Sequence, residues 1–290
     1  DPDVRDDWGW TPLHVAINPE TAKALIDGGA NINAKAKDGN EAIHSLIGEN
    51  MLDSVKYLLS LGVDVDALGK NNITPIHQAV IFNHVDGAKM LLENGANIEA
   101  ADNKGMTCLH FARSEAMVKF LIKNGAVVNS LATDKTTPLH YASNKEIAML
   151  LIDSEANLNV KNADGSTPLH WAASSRPDVA KELITAGANL NIKDSSGLTP
   201  LDNANDESRA LLLKKGAKMG NQLVMLEYDL VNRELIINGV AGETYSIEHS
   251  INLLNWKKLT SITMDSAITV YSNNSVNNSA IQFFRLRSLD

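Results

Sequence analysis

Six histidines recur at near-regular intervals through the first 170 residues, each directly after a leucine or isoleucine. Imidazoles in such a series could serve as metal ligands or as general bases. With one histidine per interval, however, neighbouring imidazoles lie too far apart for two of them to bind one zinc ion at about 2.0 Å. The spacing therefore favours a structural role, in which each imidazole hydrogen-bonds the neighbouring unit. The six are His14, His44, His77, His110, His140 and His170.

The other reactive side chains have no partners in the sequence that would complete a catalytic group. Cys108 is the only cysteine, and a nucleophilic thiol needs a paired base and a lowered pKa. Its neighbour His110 already belongs to the histidine series. Phosphate-binding loops and zinc-protease motifs are absent from the sequence. We therefore predict that the protein is not an enzyme and has no catalytic residue, metal site or cofactor.

The histidines belong to a phrase, Thr-Pro-Leu-His with variants, that occurs seven times. The copies occupy residues 11–14, 41–44, 74–77, 107–110, 137–140, 167–170 and 199–202. Their last positions are 30, 33, 33, 30, 30 and 32 residues apart, a period typical of stacked helical repeats. Asp202 replaces histidine in the last copy, and we interpret it as an adaptation to the end of the array. A repeat array favours a binding surface over an active site.

A second phrase recurs in register with the first. It reads Gly-Ala-Asn-Ile-Asn-Ala at 29–34 and Gly-Val-Asp-Val-Asp-Ala at 62–67, and it recurs near Gly95, Gly125, Glu155, Gly187 and Gly216. Together the two phrases resemble the ankyrin repeat family over roughly residues 5–220. The resemblance implies a mainly α fold, a solenoid of about seven repeats starting near residues 9, 39, 72, 105, 135, 165 and 197. Residues 1–220 are accordingly assigned to an ankyrin repeat domain.

Each repeat can also be interpreted from its local chemistry. Thr-Pro favours the start of a first helix, helix A, because proline fixes φ and lacks an N–H that the first turn leaves unpaired. An amphipathic helix B follows and ends at glycine, after which comes an extended finger. Fifteen residues always separate the helix B end from the last phrase position, so length variation is expected in helix A or the turn after it. Glu155 must either take a left-handed backbone or end its helix differently, and Glu41 removes a helix-start signal.

The periodicity ends near residue 220, and residues 221–290 change character. Candidate strands rich in Val, Ile, Thr, Tyr and Phe cover 223–229, 233–238, 243–250, 256–263, 267–272 and 280–287. This pattern predicts a small all-β, sandwich-like domain. The segment also resembles a β-module at the carboxy ends of exported bacterial proteins. The array with this tail is similar to bacterial or viral ankyrin proteins.

Composition restricts the partner and the location. A net charge of -9 and a pI near 5.4 argue against nucleic acid as a partner. No stretch is long and apolar enough to predict a membrane span. The sequence begins at Asp1, which fits a cleaved signal peptide as well as a truncation. Location stays unknown, with a secreted or extracellular protein slightly favoured over a cytoplasmic one, and we expect a monomer.

The resemblance places partner binding on the concave face, which fingers and helix A build. The residue before each phrase forms a row with four large apolar members, and an exposed row of this kind marks a contact surface. The alternative is that these side chains pack sideways on neighbouring fingers. Phe82, Arg113 and Asn144 are assigned to the same face. The row consists of Trp10, Asn40, Ile73, Met106, Thr136, Ser166 and Leu198.

Three aromatic residues, Phe111, Tyr141 and Trp171, follow the phrase in consecutive repeats. We expect these rings to pack between repeats, and we expect Trp8 and Trp10 to cover the open end of the first repeat.

The sequence thus predicts a non-enzymatic protein-protein interaction module, with an unknown protein bound on the concave face. An exported or host-directed binder fits the tail and the processed start. The alternative is a structural or adhesive surface protein, whose β-domain attaches to an envelope component or a glycan.

Overall fold

The computed structural model describes residues 1–220 in full and, beyond them, the backbone of six strands. Residues 1–220 form seven successive repeats, in which two helical segments are followed by a finger. Helix B has nine residues in every repeat. Its copies are Pro19–Asp27, Leu52–Ser60, Val85–Glu93, Glu115–Lys123, Lys145–Asp153, Pro177–Thr185 and Asp206–Lys214.

Helix A varies in length from repeat to repeat. It has seven or eight residues in repeats 2, 3 and 6, and only four in repeats 1, 4 and 5. The short copies are those followed by a 30-residue interval, so the predicted shortening is confirmed. Repeat 7 has a turn in place of the predicted helix A. The copies of helix A are Pro12–Val15, Ala42–Gly48, Pro75–Ile81, Cys108–Phe111, Pro138–Tyr141 and Pro168–Ser175. Those of repeats 1 and 5 are 3-10 helices, and a further 3-10 helix, Lys70–Asn72, lies in the finger between repeats 2 and 3.

One hydrophobic core runs continuously through the array. Helix B of repeat 2 buries Val55 and Leu58 completely, and small residues such as Ala16 and Ala79 let the two helices approach closely. The same stripe recurs in each repeat, so every repeat packs on its neighbours and the core has no single centre.

Helix B is followed by a left-handed residue in all seven repeats. Glycine takes this conformation in six, with φ from 80° at Gly216 to 93° at Gly187. Glu155 takes it in repeat 5, with φ of 66°, which is the first of the two predicted alternatives. A side chain there is strained because its Cβ crowds the backbone.

The missing Thr-Pro of repeat 2 does not prevent helix formation. Glu41 adopts the extended backbone of a cap (φ -95°, ψ 167°), and its N–H donates to His44 Nδ1 at 3.2 Å. Helix A then runs for seven residues. The helix forms because the backbone N–H and the histidine make this bond without threonine or proline; that repeat 2 is less protected than its neighbours stays a prediction.

Beyond residue 220 six strands are described: β1 Leu226–Asp229, β2 Glu234–Asn238, β3 Thr244–Ser250, β4 Lys257–Thr263, β5 Ile268–Ser272 and β6 Phe283–Ser288. They form two three-stranded antiparallel sheets, ordered β1-β2-β5 and β4-β3-β6. Each lies within or next to a predicted strand. The remaining predicted positions, including 223–225, 256 and 280–282, lie outside the described residues.

Candidate functional site

The six phrase histidines connect each repeat to the next. Within the repeat, the backbone N–H of the first phrase residue donates to Nδ1 at 3.0 to 3.3 Å. Across the repeat boundary, Nε2 lies 3.1 to 3.3 Å from the carbonyl oxygen of the residue that precedes the next phrase. Those carbonyls belong to Asn40, Ile73, Met106, Thr136, Ser166 and Leu198.

This bonding determines the protonation of each imidazole. A backbone N–H can only donate and a carbonyl can only accept, so Nδ1 is unprotonated and Nε2 carries the proton. Burial lowers the pKa of all six histidines, and that of His140 to about 4. The imidazoles are therefore neutral at pH 7, and both ring nitrogens are occupied by the fold.

Asp202 takes the place of histidine in the last repeat and bonds in a related way. Its Oδ2 accepts from the Thr199 N–H at 2.7 Å, as Nδ1 of histidine does elsewhere. The same oxygen also accepts from the Gly220 N–H at 2.7 Å, at the place where the histidine of the other repeats donates to a carbonyl. A carboxylate suits this position because both neighbouring groups are donors.

The structure corrects the expected exposure of the row that precedes the phrases. Thr136 is completely buried and Met106 is 8% exposed, while the other five members are half-buried. The carbonyls of six members accept the histidine bonds described above, which holds their backbone in the array. A direct contact between this row and a partner stays a prediction.

The aromatic residues after the phrases pack between repeats, as predicted. Phe111 lies edge-on to His77 with ring centroids 5.6 Å apart, and Trp171 lies in the same way on His140 at 5.5 Å. Tyr141 contacts both His110, at 6.1 Å, and Trp171, at 5.3 Å. Each ring therefore covers the histidine of the preceding repeat.

The other predicted surface residues lie in different surroundings. Phe82 is 56% exposed at the end of helix A of repeat 3. Asn144 is half-buried, and its Oδ1 caps helix B of repeat 5 by accepting from the Ile147 N–H at 2.9 Å. Arg113 is exposed but bonded to its own repeat, and its guanidinium carbon lies 5.9 Å from the Tyr141 ring centroid.

Arginines cap the short helices, a role that the sequence did not indicate for Arg113 or Arg176. A shortened or absent helix A leaves backbone carbonyls without helical partners. In repeat 5, Arg176 reaches back from repeat 6 and donates to the carbonyls of Ala142 at 2.5 Å and His140 at 3.1 Å. In repeat 4, Arg113 donates to the carbonyls of His110 and Ala112. In repeat 7 Arg209 donates to the Ala204 carbonyl, and in repeat 1 the hydroxyl of Ser54 donates to the Ala16 carbonyl. A 30-residue interval with a nearby arginine could have indicated these caps.

Cys108 is completely buried, and burial raises the pKa of its thiol, which keeps the sulfur protonated. Within the part of the chain that the structure describes, no group of three His, Cys, Asp or Glu residues could hold a metal ion. None of the helices described there has the length and apolar character needed to cross a membrane.

A groove lies at the first repeats, between fingers and helix A, and encloses about 660 Å³. Trp8 is 72% exposed in it, so the expectation that Trp8 covers the first repeat is wrong. Trp10 is half-buried and stacks on His14, with ring centroids 6.1 Å apart and planes 16° apart. We call this the N-terminal groove; its lining residues are Asp6, Asp7, Trp8, Trp10, Val15, Lys37, Asp38 and Lys70.

Comparison with known proteins agrees with this architecture. Six overlapping segments, 1–68, 18–102, 49–132, 99–162, 113–194 and 139–222, match the family described as ankyrin repeats in three copies. The crystal structure of the ankyrin repeat domain of Bcl-3, described as a unique member of the IκB protein family, is similar in fold. Its TM-score is 0.59 at 24% identity, over 71% of this chain and 99% of that one. No curated protein sequence matches the chain. The chain belongs to the ankyrin repeat family.

Proposed function

We propose that this chain is a non-enzymatic protein-binding module that receives its partner on the side formed by fingers and helix A. Ankyrin repeat proteins typically act in this way, which supports the proposal. The observation that carries it is the N-terminal groove, where Trp8 is 72% and Val15 56% exposed. Exposed tryptophan in a groove is typical of residues that dominate the energy of protein interfaces.

The groove is held in shape by bonds that leave its apolar surface open. One carboxylate oxygen of Asp6 accepts from the N–H groups of Trp8 at 2.9 Å and Trp10 at 2.8 Å. Lys37 donates from Nζ to the Asp7 carbonyl at 2.8 Å and from its backbone N–H to the Trp8 carbonyl at 3.0 Å. A fixed backbone lowers the entropy lost on binding. The groove suits an apolar or aromatic side chain of a partner protein.

A photo-crosslinking amino acid at position 8, in the full chain, tests the proposal. The control position is Met149, which is 45% exposed on helix B of repeat 5. We expect a specific protein adduct from position 8 and none from position 149. We also expect Trp8→Ser with Val15→Ser to reduce partner capture at least about tenfold, and Met149→Ser to leave it unchanged. Equal adducts from both positions would contradict the proposal.

The tail gives the same experiment a second arm. If capture is lost when residues 221–290 are removed but survives the groove substitutions, the adhesive alternative is supported instead. An exported or host-directed role stays part of the proposal, and the gene sequence upstream of Asp1 tests it by encoding a signal peptide or not.

A further inference from the structure

Helix A is shortened in repeats 4 and 5, and an arginine caps its end in each of them. Helix A has four residues in each of these repeats, against seven in repeat 3 and eight in repeat 6. Two aromatic rings and two arginines occupy this place. We call it the arginine recess and define it by Arg113, Tyr141, Trp171 and Arg176.

The two guanidinium groups hold equivalent positions in neighbouring repeats. Arg113 donates to the carbonyls of His110 at 2.9 Å and Ala112 at 3.2 Å, and Arg176 donates to the same carbonyls one repeat later, in His140 and Ala142. Two positive charges are thereby held next to each other. The pKa of Arg176 is lowered by burial and then by the charge of Arg113, and arginine nevertheless stays protonated.

Among the described residues, neither arginine has an acidic partner within 4 Å. Within residues 1–220, the side-chain ion pairs within 4 Å are all made by lysines. Asp178 acts on Arg176 only at longer range, and its Oδ2 accepts from the Lys145 N–H at 3.2 Å. In a chain with a net charge of -9, two adjacent arginines without a carboxylate partner form a local positive site.

The aromatic residues give this site an apolar wall. The Tyr141 ring lies beneath Arg113, and half-buried Trp171 lies edge-on to it at 5.3 Å. A pocket of about 300 Å³ opens beside Trp171 and Arg176, and Ser174, Ser175 and Asp194 also line it. Asp194 is engaged within its own finger, where its Oδ1 accepts from the N–H groups of Ser196 at 2.8 Å and Leu198 at 2.9 Å. The recess therefore offers guanidinium donors, hydroxyl groups and aromatic surface together.

We propose that the arginine recess binds an acidic segment of a partner protein, with Asp or Glu carboxylates at Arg113 and Arg176 and an apolar side chain against Trp171. Arginine forks match carboxylates well. Nucleic acid fits less well, because two positive charges cannot offset many phosphates on a chain of net charge -9. This inference rests on the proposed protein-binding function.

The test uses the full chain and a random dodecapeptide library, with affinities of enriched peptides measured by fluorescence anisotropy at 50 and 300 mM NaCl. We expect enrichment of Asp and Glu beside an apolar residue, and weaker binding at the higher salt. The double variant Arg113→Gln, Arg176→Gln should lose about tenfold or more in affinity, and Arg113→Lys, Arg176→Lys should recover only part of it, because lysine keeps the charge but lacks the fork. Circular dichroism and thermal melting check that the variants fold, and Lys181→Gln, an exposed position on helix B of repeat 6, is the control.

Three results would overturn the inference: no acidic enrichment, equal binding to the glutamine variant, or tighter binding of a single-stranded DNA dodecamer than of the peptides. Peptides that bind the glutamine variant as tightly as the parent chain, but lose affinity for Trp8→Ser, would overturn this inference and leave the proposed function intact. If Trp8 crosslinking and peptide enrichment both fail, the proposed function fails as well.

Discussion

The Nε2–H of His140 donates to the carbonyl oxygen of Ser166, 26 residues further along the chain, at 3.2 Å. Nδ1 of the same ring accepts from the Thr137 N–H at 3.1 Å. One side chain thus caps its own helix and holds the finger of the next repeat. Because six phrases repeat this arrangement, the sequence signal that dominates the chain belongs to the scaffold, and partner recognition is expected on the surface beside it.

Removing one such imidazole should weaken the array measurably. In His140→Ala the Thr137 N–H and the Ser166 carbonyl lose their partner in a buried place, at a cost of roughly 2 to 3 kcal/mol in the free energy of unfolding. Urea unfolding followed by circular dichroism measures this. Lys89→Ala, an exposed substitution on helix B of repeat 3, is the control and should change stability by less than about 0.5 kcal/mol. A loss for His140→Ala no larger than for the control would refute the role assigned to the six phrase histidines, which we call the ladder histidines.

Stability should depend on pH through the same residues. The folded pKa of each ladder histidine lies below its ordinary value of 6.5, so the unfolded chain binds protons first as the pH falls. The stabilisation is complete above about pH 6.5 and is lost progressively towards the folded pKa, about 4 for His140. Between pH 7 and 4.5, His140→Ala should lose roughly 2 kcal/mol less stability than the parent chain. Parallel pH dependences of the two proteins, measured by urea unfolding, would argue against it.

The arginine that reaches across repeats should stabilise the shortened helix. Arg176→Ala leaves the His140 and Ala142 carbonyls without their donor, and we expect a loss of about 1 to 3 kcal/mol. Hydrogen exchange should show the loss of protection in repeats 5 and 6. Lys181→Ala, an exposed position on helix B of repeat 6, serves as the matched control. Unchanged protection around residue 142 would show that water replaces the guanidinium without cost.

Left-handed residues after helix B allow a reciprocal test. Glu155→Gly should stabilise the chain by up to about 1 kcal/mol, because φ of 66° is unfavourable for a residue with a Cβ. Gly125→Glu should destabilise it by a similar amount, since a Cβ at Gly125 meets nothing within 4 Å and only the backbone conformation is affected. Thermal melting of both variants measures the pair. Changes of the same sign in the two would contradict this explanation.

Much of the fold could be predicted from the sequence, because the signals are local and repeated. The constant 15-residue distance predicts an invariant finger, and the 30-residue intervals predict a short helix A, as Cys108–Phe111 shows. Glu155 was identifiable by comparison with six glycines. The histidine geometry follows from the phrase, because Nδ1 always bonds the N–H three residues before it and Nε2 always bonds the carbonyl that precedes the next phrase.

The candidate site was less predictable, because exposure depends on packing between repeats. Met106 and Thr136 occupy a position that looks solvent-facing within one repeat, yet the neighbouring repeat buries them. Trp8 shows the opposite, because the sequence predicts that it covers the open end of the first repeat, whereas it is exposed in the N-terminal groove. Arg176 caps a helix 34 residues before it, and no pattern within one repeat indicates that contact.

The central claim is that the repeated histidines hold the array together and leave recognition to the surface beside them. Long-range ¹H–¹⁵N NMR of the ¹⁵N-labelled full chain tests it most directly, by reporting the protonation of each ring nitrogen as the pH is lowered from 7.5 to 4. We predict that the six ladder histidines carry a proton on Nε2 alone at pH 7 and become protonated on Nδ1 only below pH 6.5, His140 near pH 4. A ladder histidine with its proton on Nδ1 at pH 7, or one that titrates at or above pH 6.5, would contradict the claim.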